Sequence, residues 1–289
     1  MSRRFISPRG WAILSFSISG LLLLSALLLY RGSPTAFSQV NASTVQAGIA
    51  KAPSISTGLR RQLTYEQWVA LLRQEAKVAA EKQPQRLMVL AGDSLSLWFP
   101  PELLPPEESW LNQGISGETS AGLLRRLKLF DRTQPEVVFV MIGINDLLRG
   151  VDAETVLANH REIVSYLKAA HPQAQIVVQS LLPHGDRRLS RSQLSSDEAA
   201  LQRQPSASLP RQALVLNSDI RQLNQALAEM AKAEGVDYLD LQPYFTDANG
   251  ALVADLSTDG LHLSAEGYQV WRSRLQLFMQ QQKAKRRSR

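Results

Sequence analysis

Residues 86–98 read Arg-Leu-Met-Val-Leu-Ala-Gly-Asp-Ser-Leu-Ser-Leu-Trp, and this stretch decides the fold. Residues 87–90 form a short apolar run, which predicts a buried parallel strand that ends at Ala91 and Gly92. Asp93 and Ser94 follow, and the residues after them can start a helix. A serine between the carboxyl end of a strand and a helix lies where open α/β sheets bind ligands. Ser94 is therefore a candidate nucleophile, and a helix N-cap at Asp93 or Ser94 is the alternative.

Apolar segments and amphipathic segments alternate through the rest of the chain. Further strands are expected at residues 110–112, 136–142, 176–182 and 236–241. Helices are expected at residues 64–83, 121–130, 153–170, 217–233 and 265–282. This alternation predicts an α/β protein with a parallel sheet that is covered by helices on both faces.

The length and composition fit one large domain with extensions, since 44% of the 289 residues are hydrophobic. The formal net charge is +6, and much of the excess lies at the two ends of the chain. Basic ends favour contact with an anionic membrane surface over nucleic acid, for which no stacking motif or finger spacing is present. Cysteine is absent, which excludes disulfides, thiol nucleophiles and cysteine metal sites.

Residues 11–30 contain no charged residue and are long enough to span a bilayer. Trp11 and Tyr30 bracket this segment as interface aromatics do. Three arginines precede it and Arg31 follows it, which predicts a single-pass signal anchor with a basic cytoplasmic flank at 1–10. The rest of the chain would then be extracytoplasmic or periplasmic. A cleaved signal peptide and a secreted protein are the alternative.

The remaining chain divides into three parts by composition, the second of which contains an insertion. Residues 31–60 are rich in small residues and predict a flexible linker, residues 61–282 form the expected domain, and residues 283–289 form a basic tail. A long polar insertion at 184–211 follows an expected strand, which places it near the ligand-binding edge of the sheet. It fits a flap over the substrate or, as the favoured reading, a solvated insertion.

A serine nucleophile needs a general base, and the base needs an orienting group. His262 follows the last expected strand, and Asp259 precedes it by three residues, so a tight turn can bring the two side chains together. A surface loop with an Asx turn is the alternative. Of the other histidines, His160 is expected on the surface and His171 at a helix C-terminus, while His184 stays undecided.

An acyl-transfer site also needs hydrogen-bond donors for the developing oxyanion. The backbone N–H of Ser94 is one candidate, and the N–H of Gly114 is another because glycine allows close approach. The side-chain amide of Asn145 is the third. A turn at Gly114 and a helix cap at Asn145 are the alternatives, but every candidate follows an expected strand at the same edge of the sheet.

Four sequence blocks in this order resemble the SGNH hydrolase superfamily, also called GDSL esterases and lipases, over roughly residues 86–278. The blocks are Gly-Asp-Ser-Leu-Ser at 92–96, Asn-x-Gly-x-Ser-Gly-x-Thr at 112–119, Gly-x-Asn-Asp at 143–146 and Asp-Gly-Leu-His-Leu-Ser at 259–264. The resemblance implies a flavodoxin-like three-layer α/β/α sandwich with a mostly five-stranded parallel sheet, preceded here by the expected transmembrane helix.

The resemblance also implies roles for individual residues. Ser94 would be the nucleophile, His262 the general base and then acid, and Asp259 the group that orients it. The oxyanion hole would consist of the Ser94 and Gly114 amides and the Asn145 side chain. The resemblance implies no metal and no cofactor.

The expected function is hydrolysis of an acyl or acetyl ester through an acyl-enzyme. The substrate would be a small-molecule, glycan or lipid ester, with the membrane contacted through the N-terminal helix and no nucleic acid partner. Two alternatives are a membrane-associated O-acyltransferase that acts on a glycan and a non-catalytic binding module. The acyl length is open, since residues 97–99 (Leu-Trp-Phe) fit an apolar acyl pocket or, as the favoured reading, packing against the sheet.

Overall fold

The computed structural model describes residues 63–185 and 217–287. Five parallel strands form one sheet in the order β2-β1-β3-β4-β5. The strands are β1 (Leu87–Gly92), β2 (Ser109–Gly114), β3 (Val137–Met141), β4 (Gln175–Gln179) and β5 (Asp237–Leu239). The chain leaves β1 for β2 on one side and continues to β3 on the other. The switch point of the sheet therefore lies at the carboxyl end of β1, directly before Ser94.

Seven α-helices connect or flank these strands in the described part of the chain. They are α1 (Tyr65–Lys82), α2 (Ser94–Leu97), α3 (Ser120–Arg126), α4 (Ile144–Leu148), α5 (Ala153–Ala170), α6 (Asn217–Glu234) and α7 (Ala265–Arg287). Every residue of β1 and β3 is buried, as expected for central strands of a parallel sheet covered on both faces. The predicted parallel α/β sheet is confirmed.

The first strand is longer than expected. Ala91 and Gly92 do not interrupt β1 but are its last two residues, paired with both neighbouring strands. A Cβ atom on Gly92 would lie 2.3 Å from the carbonyl oxygen of Met141 in β3. The glycine is needed because the strands approach closely here, and this close approach carries the strand up to Asp93.

Helix α1 packs over the segment that carries Ser94. Thr64 caps the helix in a capping box with Gln67, which satisfies N–H groups of the first turn. Trp68 on the buried face of α1 belongs to an apolar cluster with Leu97 of α2 and Ile115 beyond β2. The helix is therefore part of the same domain as the sheet.

Several expectations fall outside the described residues. They are the anchor at 11–30, its basic flank, the linker at 31–60, and the insertion at 184–211 beyond its first two residues. Within residues 63–185 and 217–287, no helix has both the length and the apolar character that a bilayer span requires. The membrane segment at 11–30 and the domain boundaries stay predictions.

Candidate active site

Ser94 is the first residue of α2 and is held at the carboxyl end of β1. Asp93 is the N-cap of this helix, and its Oδ1 accepts a hydrogen bond from the N–H of Leu95 at 3.0 Å. The cap is therefore Asp93, and the Ser94 hydroxyl lies 3.1 Å from Nε2 of His262. The Ser94 N–H opens the helix and has no acceptor within it. The phenol of Tyr268 donates to the carbonyl of Leu95 at 3.0 Å and links the short helix to α7.

His262 and Asp259 meet in a tight loop, as their spacing predicts. Oδ2 of Asp259 lies 2.7 Å from Nδ1 of His262. Oδ1 of the same carboxylate accepts the backbone N–H groups of Leu261 and His262 at 2.9 and 2.7 Å. The Asx turn and the triad contact are thus made by one side chain. Ser94, His262 and Asp259 form an unbroken hydrogen-bonded chain.

The Asp259 carboxylate is suited to orient the imidazole ring. Burial raises the pKa of Asp259, but the hydrogen bonds from the ring and the N–H of His262 outweigh it and hold the pKa well below its ordinary value. An ionised Asp259 accepts a hydrogen bond from the N–H at Nδ1 and so holds the proton on that nitrogen. The lone pair on Nε2 then faces the Ser94 hydroxyl, which is the tautomer that a general base needs.

The first residues of the polar insertion are hydrogen-bonded to the loop that carries His262. The N–H of Gly185 donates to the carbonyl of Gly260 at 2.7 Å. A Cβ atom on Gly185 would lie 3.1 Å from the Cα of Gly260, so the two backbones pass very closely. Asn217 bonds both the N–H and the carbonyl of His184, each at 2.9 Å, and so joins the start of the insertion to the first residue of α6. The undecided His184 is thus a buried structural residue in this contact.

Asn145 is brought to the same edge by α4, which follows β3. Its side chain is buried, and Nδ2 donates to the carbonyl of Glu118 at 3.0 Å. That bond uses one of the two amide hydrogens, and the other can be offered to an oxyanion. Asp146, the next residue, accepts from both the N–H and the hydroxyl of Ser120 at 2.8 and 2.6 Å, which fixes α4 against α3. Burial raises the pKa of the Asp146 carboxyl, and the bonds from Ser120 oppose that rise.

Gly114 is not placed as the sequence suggests. Its N–H donates to Oδ1 of Asn112 at 2.9 Å, and a Cβ atom would lie 2.4 Å from the backbone nitrogen of Leu97. Gly114 therefore serves the close packing of β2 on α2. Its N–H is already engaged by Asn112, and its role in the oxyanion hole stays a prediction.

Gly117 carries a second backbone N–H in this block. It has φ 69° in the tight turn that the N–H of Glu118 closes onto the carbonyl of Ile115 at 3.3 Å. In the described part of the chain, the Gly117 N–H has no acceptor. Gly117 also directly precedes Glu118, the residue that Asn145 contacts. The sequence signal that points to it is the second glycine of the block, at a turn position that requires positive φ.

His160 is not on the surface, and that expectation was wrong. It is fully buried, and its Nε2 lies 2.9 Å from the carbonyl of Ile142, directly after β3. Burial lowers the pKa of His160 to about 4. Val156, Ile163 and Leu167 are buried on the same helix, so His160 lies on the apolar face of α5 at helical spacing. That periodicity identifies its burial from the sequence.

Two further expectations are confirmed by the packing. Leu97 and Phe99 are core residues, with the Phe99 ring 5.1 Å from the ring centroids of both Tyr268 and Trp271. His171 is the C-cap of α5. Neither Leu97 nor Phe99 is therefore free to line an acyl pocket. Among the described residues, no group of three or more acidic, histidine or cysteine side chains could hold a metal ion.

Comparisons with known proteins identify the family to which the chain is similar. The family model described as GDSL-like lipase/acylhydrolase matches residues 92–270. The rat platelet-activating factor acetylhydrolase IB subunit alpha2 is 28% identical over 212 residues, which cover 70% of this chain and 79% of that protein. The human alpha1 subunit is 28% identical over 211 residues, which cover 70% of this chain and 78% of that subunit.

Solved structures show the same fold. A Streptococcus pneumonia protein, provisionally assigned as a platelet activating factor, is 25% identical with a TM-score of 0.56 and covers 77% of this chain and 99% of its own. A GDSL-like lipase from Bacteroides thetaiotaomicron is 19% identical with a TM-score of 0.54, and covers 74% of this chain and 98% of its own. The second similarity is one of fold alone.

Proposed function

The chain belongs to the GDSL-like lipase/acylhydrolase family, and we propose that it hydrolyses carboxylic esters through an acyl-enzyme at Ser94. The observation that carries this proposal is the unbroken chain of hydrogen bonds from the Ser94 hydroxyl to His262 and on to Asp259. A hydroxyl at the start of a helix, a base within hydrogen-bond reach and an orienting carboxylate are the parts that acyl transfer requires.

The geometry supports a two-step reaction. As the Ser94 oxygen bonds to the ester carbonyl carbon, its proton passes to Nε2 of His262, and the carbonyl oxygen becomes an oxyanion. The Ser94 N–H, the Asn145 amide and the Gly117 N–H would donate to that oxygen. When the carbon–oxygen bond to the alcohol breaks, His262 returns the proton to the departing alcohol. Water then attacks the acyl-enzyme with the same proton transfers and releases the acid.

We propose that the site takes a short acyl group, such as acetyl. Leu97, the last residue of the nucleophile helix, and Phe99 are packed in the core, and the partly buried Trp98 between them packs against it. Among the described residues, the exposed large hydrophobic side chains are Tyr244 and Leu277, and neither belongs to the segments that carry the triad. The curated relatives named above are acetylhydrolases. We therefore propose an acetyl ester of a small molecule, glycan or lipid as the substrate.

A series of nitrophenyl esters tests this function on the full chain in mild detergent. We expect the acetyl ester to be hydrolysed fastest and the rate to fall as the acyl chain lengthens. A fluorophosphonate should label the protein at Ser94, as intact mass would show. A protein that neither hydrolyses any ester nor takes up the label would be a binding module, and acyl transfer to an added sugar would identify a transferase.

We also propose that residues 11–30 anchor the enzyme in a membrane, with the catalytic domain outside the cytoplasm. Within the described domain, Tyr65 at the start of α1 donates to Glu118 at 3.3 Å, so the chain enters the domain at its active-site edge. A tether before residue 63 would keep this edge within reach of membrane-bound esters. Fractionation with N-terminal sequencing tests the anchor, and a soluble mature protein that starts near Phe37 would contradict it. Protease added to spheroplasts tests the orientation.

A further inference from the structure

Arg126, at the end of α3, is a buried arginine whose guanidinium bonds three separate backbone or side-chain groups. Nε donates to Oε2 of Glu118 at 2.7 Å, Nη1 to the carbonyl of Gln113 at 2.7 Å, and Nη2 to the carbonyl of Gly92 at 3.0 Å. Only 3% of the Arg126 side chain and 5% of the Glu118 side chain are exposed. One planar cation thus joins the ends of β1 and β2 to the turn that follows β2.

Two of the three groups that Arg126 holds, Gly92 and Glu118, are close to the proposed oxyanion donors. Gly92 is two residues before Ser94, whose N–H begins α2. Glu118 directly follows Gly117, and its carbonyl accepts the Nδ2 hydrogen bond of Asn145. A shift of the guanidinium would therefore move all three donors relative to each other.

We propose that Arg126 is a positioning residue that sets the geometry of the oxyanion hole through its bonds to Gly92, Gln113 and Glu118. This inference rests on the proposed function, since it concerns the same site. Arg126 does not contact the substrate and acts through the backbone segments that carry the donors.

The residues around the ion pair of Arg126 and Glu118 leave room for it and add a further hydrogen bond. Gly122, one turn before Arg126, faces the Glu118 carboxylate so closely that a Cβ atom would lie 1.7 Å from Oε1. Tyr65 donates to the same carboxylate from α1. The two strand-end carbonyls require donors in a fixed fork, which a guanidinium provides and an ammonium does not.

Stability alone does not explain the choice of an ion pair here. A buried pair often contributes no more than well-packed apolar residues of the same volume, because both charges must be removed from water. An apolar side chain at position 126 could fill the space, but it could not donate to two carbonyls on neighbouring strands. The geometry of those strand ends is what the arginine supplies.

The test compares Arg126→Lys with Arg125→Lys in the full-length protein. Arg125 is the neighbouring residue on the same helix and is exposed, so it is a matched control. Lysine keeps the charge at 126 but loses the fork. We expect Arg126→Lys to lower kcat for the acetyl ester by about 10²-fold, the cost of a misplacement of about 1 Å, with KM within a few-fold of wild type. Arg125→Lys should match wild type in both constants.

A second readout separates positioning from a loss of folded protein. An alkylboronic acid forms a tetrahedral adduct with a serine hydroxyl and resembles the oxyanion state. Its affinity should weaken with Arg126→Lys by about the same factor as kcat. Combining Arg126→Lys with Asn145→Ala should cost less than the product of the single losses, because both act on the same donors.

The outcomes that overturn the inference depend on how much of the variant protein is folded. A folded Arg126→Lys protein with wild-type kcat would overturn it. Fluorophosphonate titration counts the active sites in each sample, and a kcat that returns to the wild-type value once it is divided by that count would overturn the inference as well. If Arg126→Lys does not fold, Glu118→Gln keeps both strand-end bonds and should still lower kcat without raising KM, and wild-type kcat there would overturn the inference. A wild-type protein without esterase activity or label would instead refute the proposed function.

Discussion

The candidate site has two halves. The donor half comprises Ser94, Asn145 and the supporting Arg126, and the acid–base half comprises His262 and Asp259. The two halves differ in how much of each is exposed to water. Ser94, Asn145 and Arg126 are each 3% exposed, whereas the side chains of His262 and Asp259 are 20% and 52% exposed. Donors that stabilise a developing charge are most effective where water is excluded and the dipoles are fixed in advance. A general base has to exchange protons with substrate and water. The burial of each half matches its proposed task.

The two halves also differ in how they are held. The donor half depends on contacts between segments far apart in the chain, such as the bonds from Arg126 to Gly92 and from Asn145 to Glu118. The acid–base half is built almost entirely within one short loop, where Asp259 bonds its own neighbours. Its one described backbone bond to the segment after β4 joins Gly185 and Gly260. We therefore expect a substitution in the donor half to shift several segments of the site, and a substitution in the loop to shift only the loop itself.

The largest effect is expected when one essential group is removed from either half. Ser94→Ala and His262→Ala should each lower kcat by about 10⁴-fold or more, and the double variant should be little worse, because the nucleophile and the base act as a unit. Ser96→Ala is the matched control, since in the described structure the Ser96 hydroxyl is buried and has no hydrogen-bond partner. A Ser94→Ala protein that stays folded and keeps most of its esterase activity would exclude the proposed mechanism.

The next effect tests the donor half alone. Asn145→Ala should lower kcat by roughly 10²–10³-fold with little change in KM, the usual cost of one oxyanion donor. Asn159→Ala is a control, since Asn159 bonds the Ser120 hydroxyl at 2.8 Å behind the same helices but not the donor residues. Steady-state kinetics of both variants decide the point. Full activity of Asn145→Ala would remove Asn145 from the oxyanion hole.

A smaller effect is expected from the acid–base half. In Asp259→Asn, Oδ1 can still accept hydrogen bonds from the loop N–H groups, but the amide NH2 that replaces Oδ2 cannot accept one from the N–H at Nδ1. We expect kcat to fall by about 10²-fold, less than the roughly 10⁴-fold known for a buried triad carboxylate, because Asp259 is half exposed and water can replace part of its role.

The pH profile of Asp259→Asn provides a further check. The carboxylate stabilises the protonated imidazole, and the same interaction holds the pKa of Asp259 low. Removing the negative charge should therefore move the acidic limb of kcat/KM to lower pH. An acidic limb that stays in place or moves to higher pH would show that Asp259 does not interact with the base.

The sequence predicted local features of the fold and site better than distant ones. The spacing of Asp259 and His262 was enough to predict their contact, because three residues form one turn. The donor half required the structure, since nothing local to Gly114 indicates that Asn112 takes its N–H. The role of Arg126 also depends on which strand ends lie beside it. His160 was misplaced although its spacing carried the signal, because polar neighbours in sequence do not define a helix face.

The smallest effect concerns acid stability behind the donor half. His160 donates to the carbonyl of Ile142, which directly precedes the loop into α4 and Asn145. Burial lowers the pKa of His160 to about 4 in the folded protein. In the unfolded chain the histidine has its ordinary pKa near 6.5, so between these values the unfolded chain binds a proton at His160 and the folded protein does not. Stability is therefore complete above about pH 6.5 and falls as the pH drops toward 4.

His160→Gln should remove this pH dependence while it keeps an N–H donor for Ile142. Between pH 6.5 and pH 5, His160 alone should reduce the free energy of unfolding of the wild type by about 2 kcal/mol, and the variant should lack this share. Urea unfolding at the two pH values measures it, and the difference between the proteins cancels the contributions of His171 and Asp146. Equal losses in both proteins would show that His160 is not the group that titrates. A selective loss in the wild type would show that acid destabilises the fold through His160, which supports the segment that leads to Asn145.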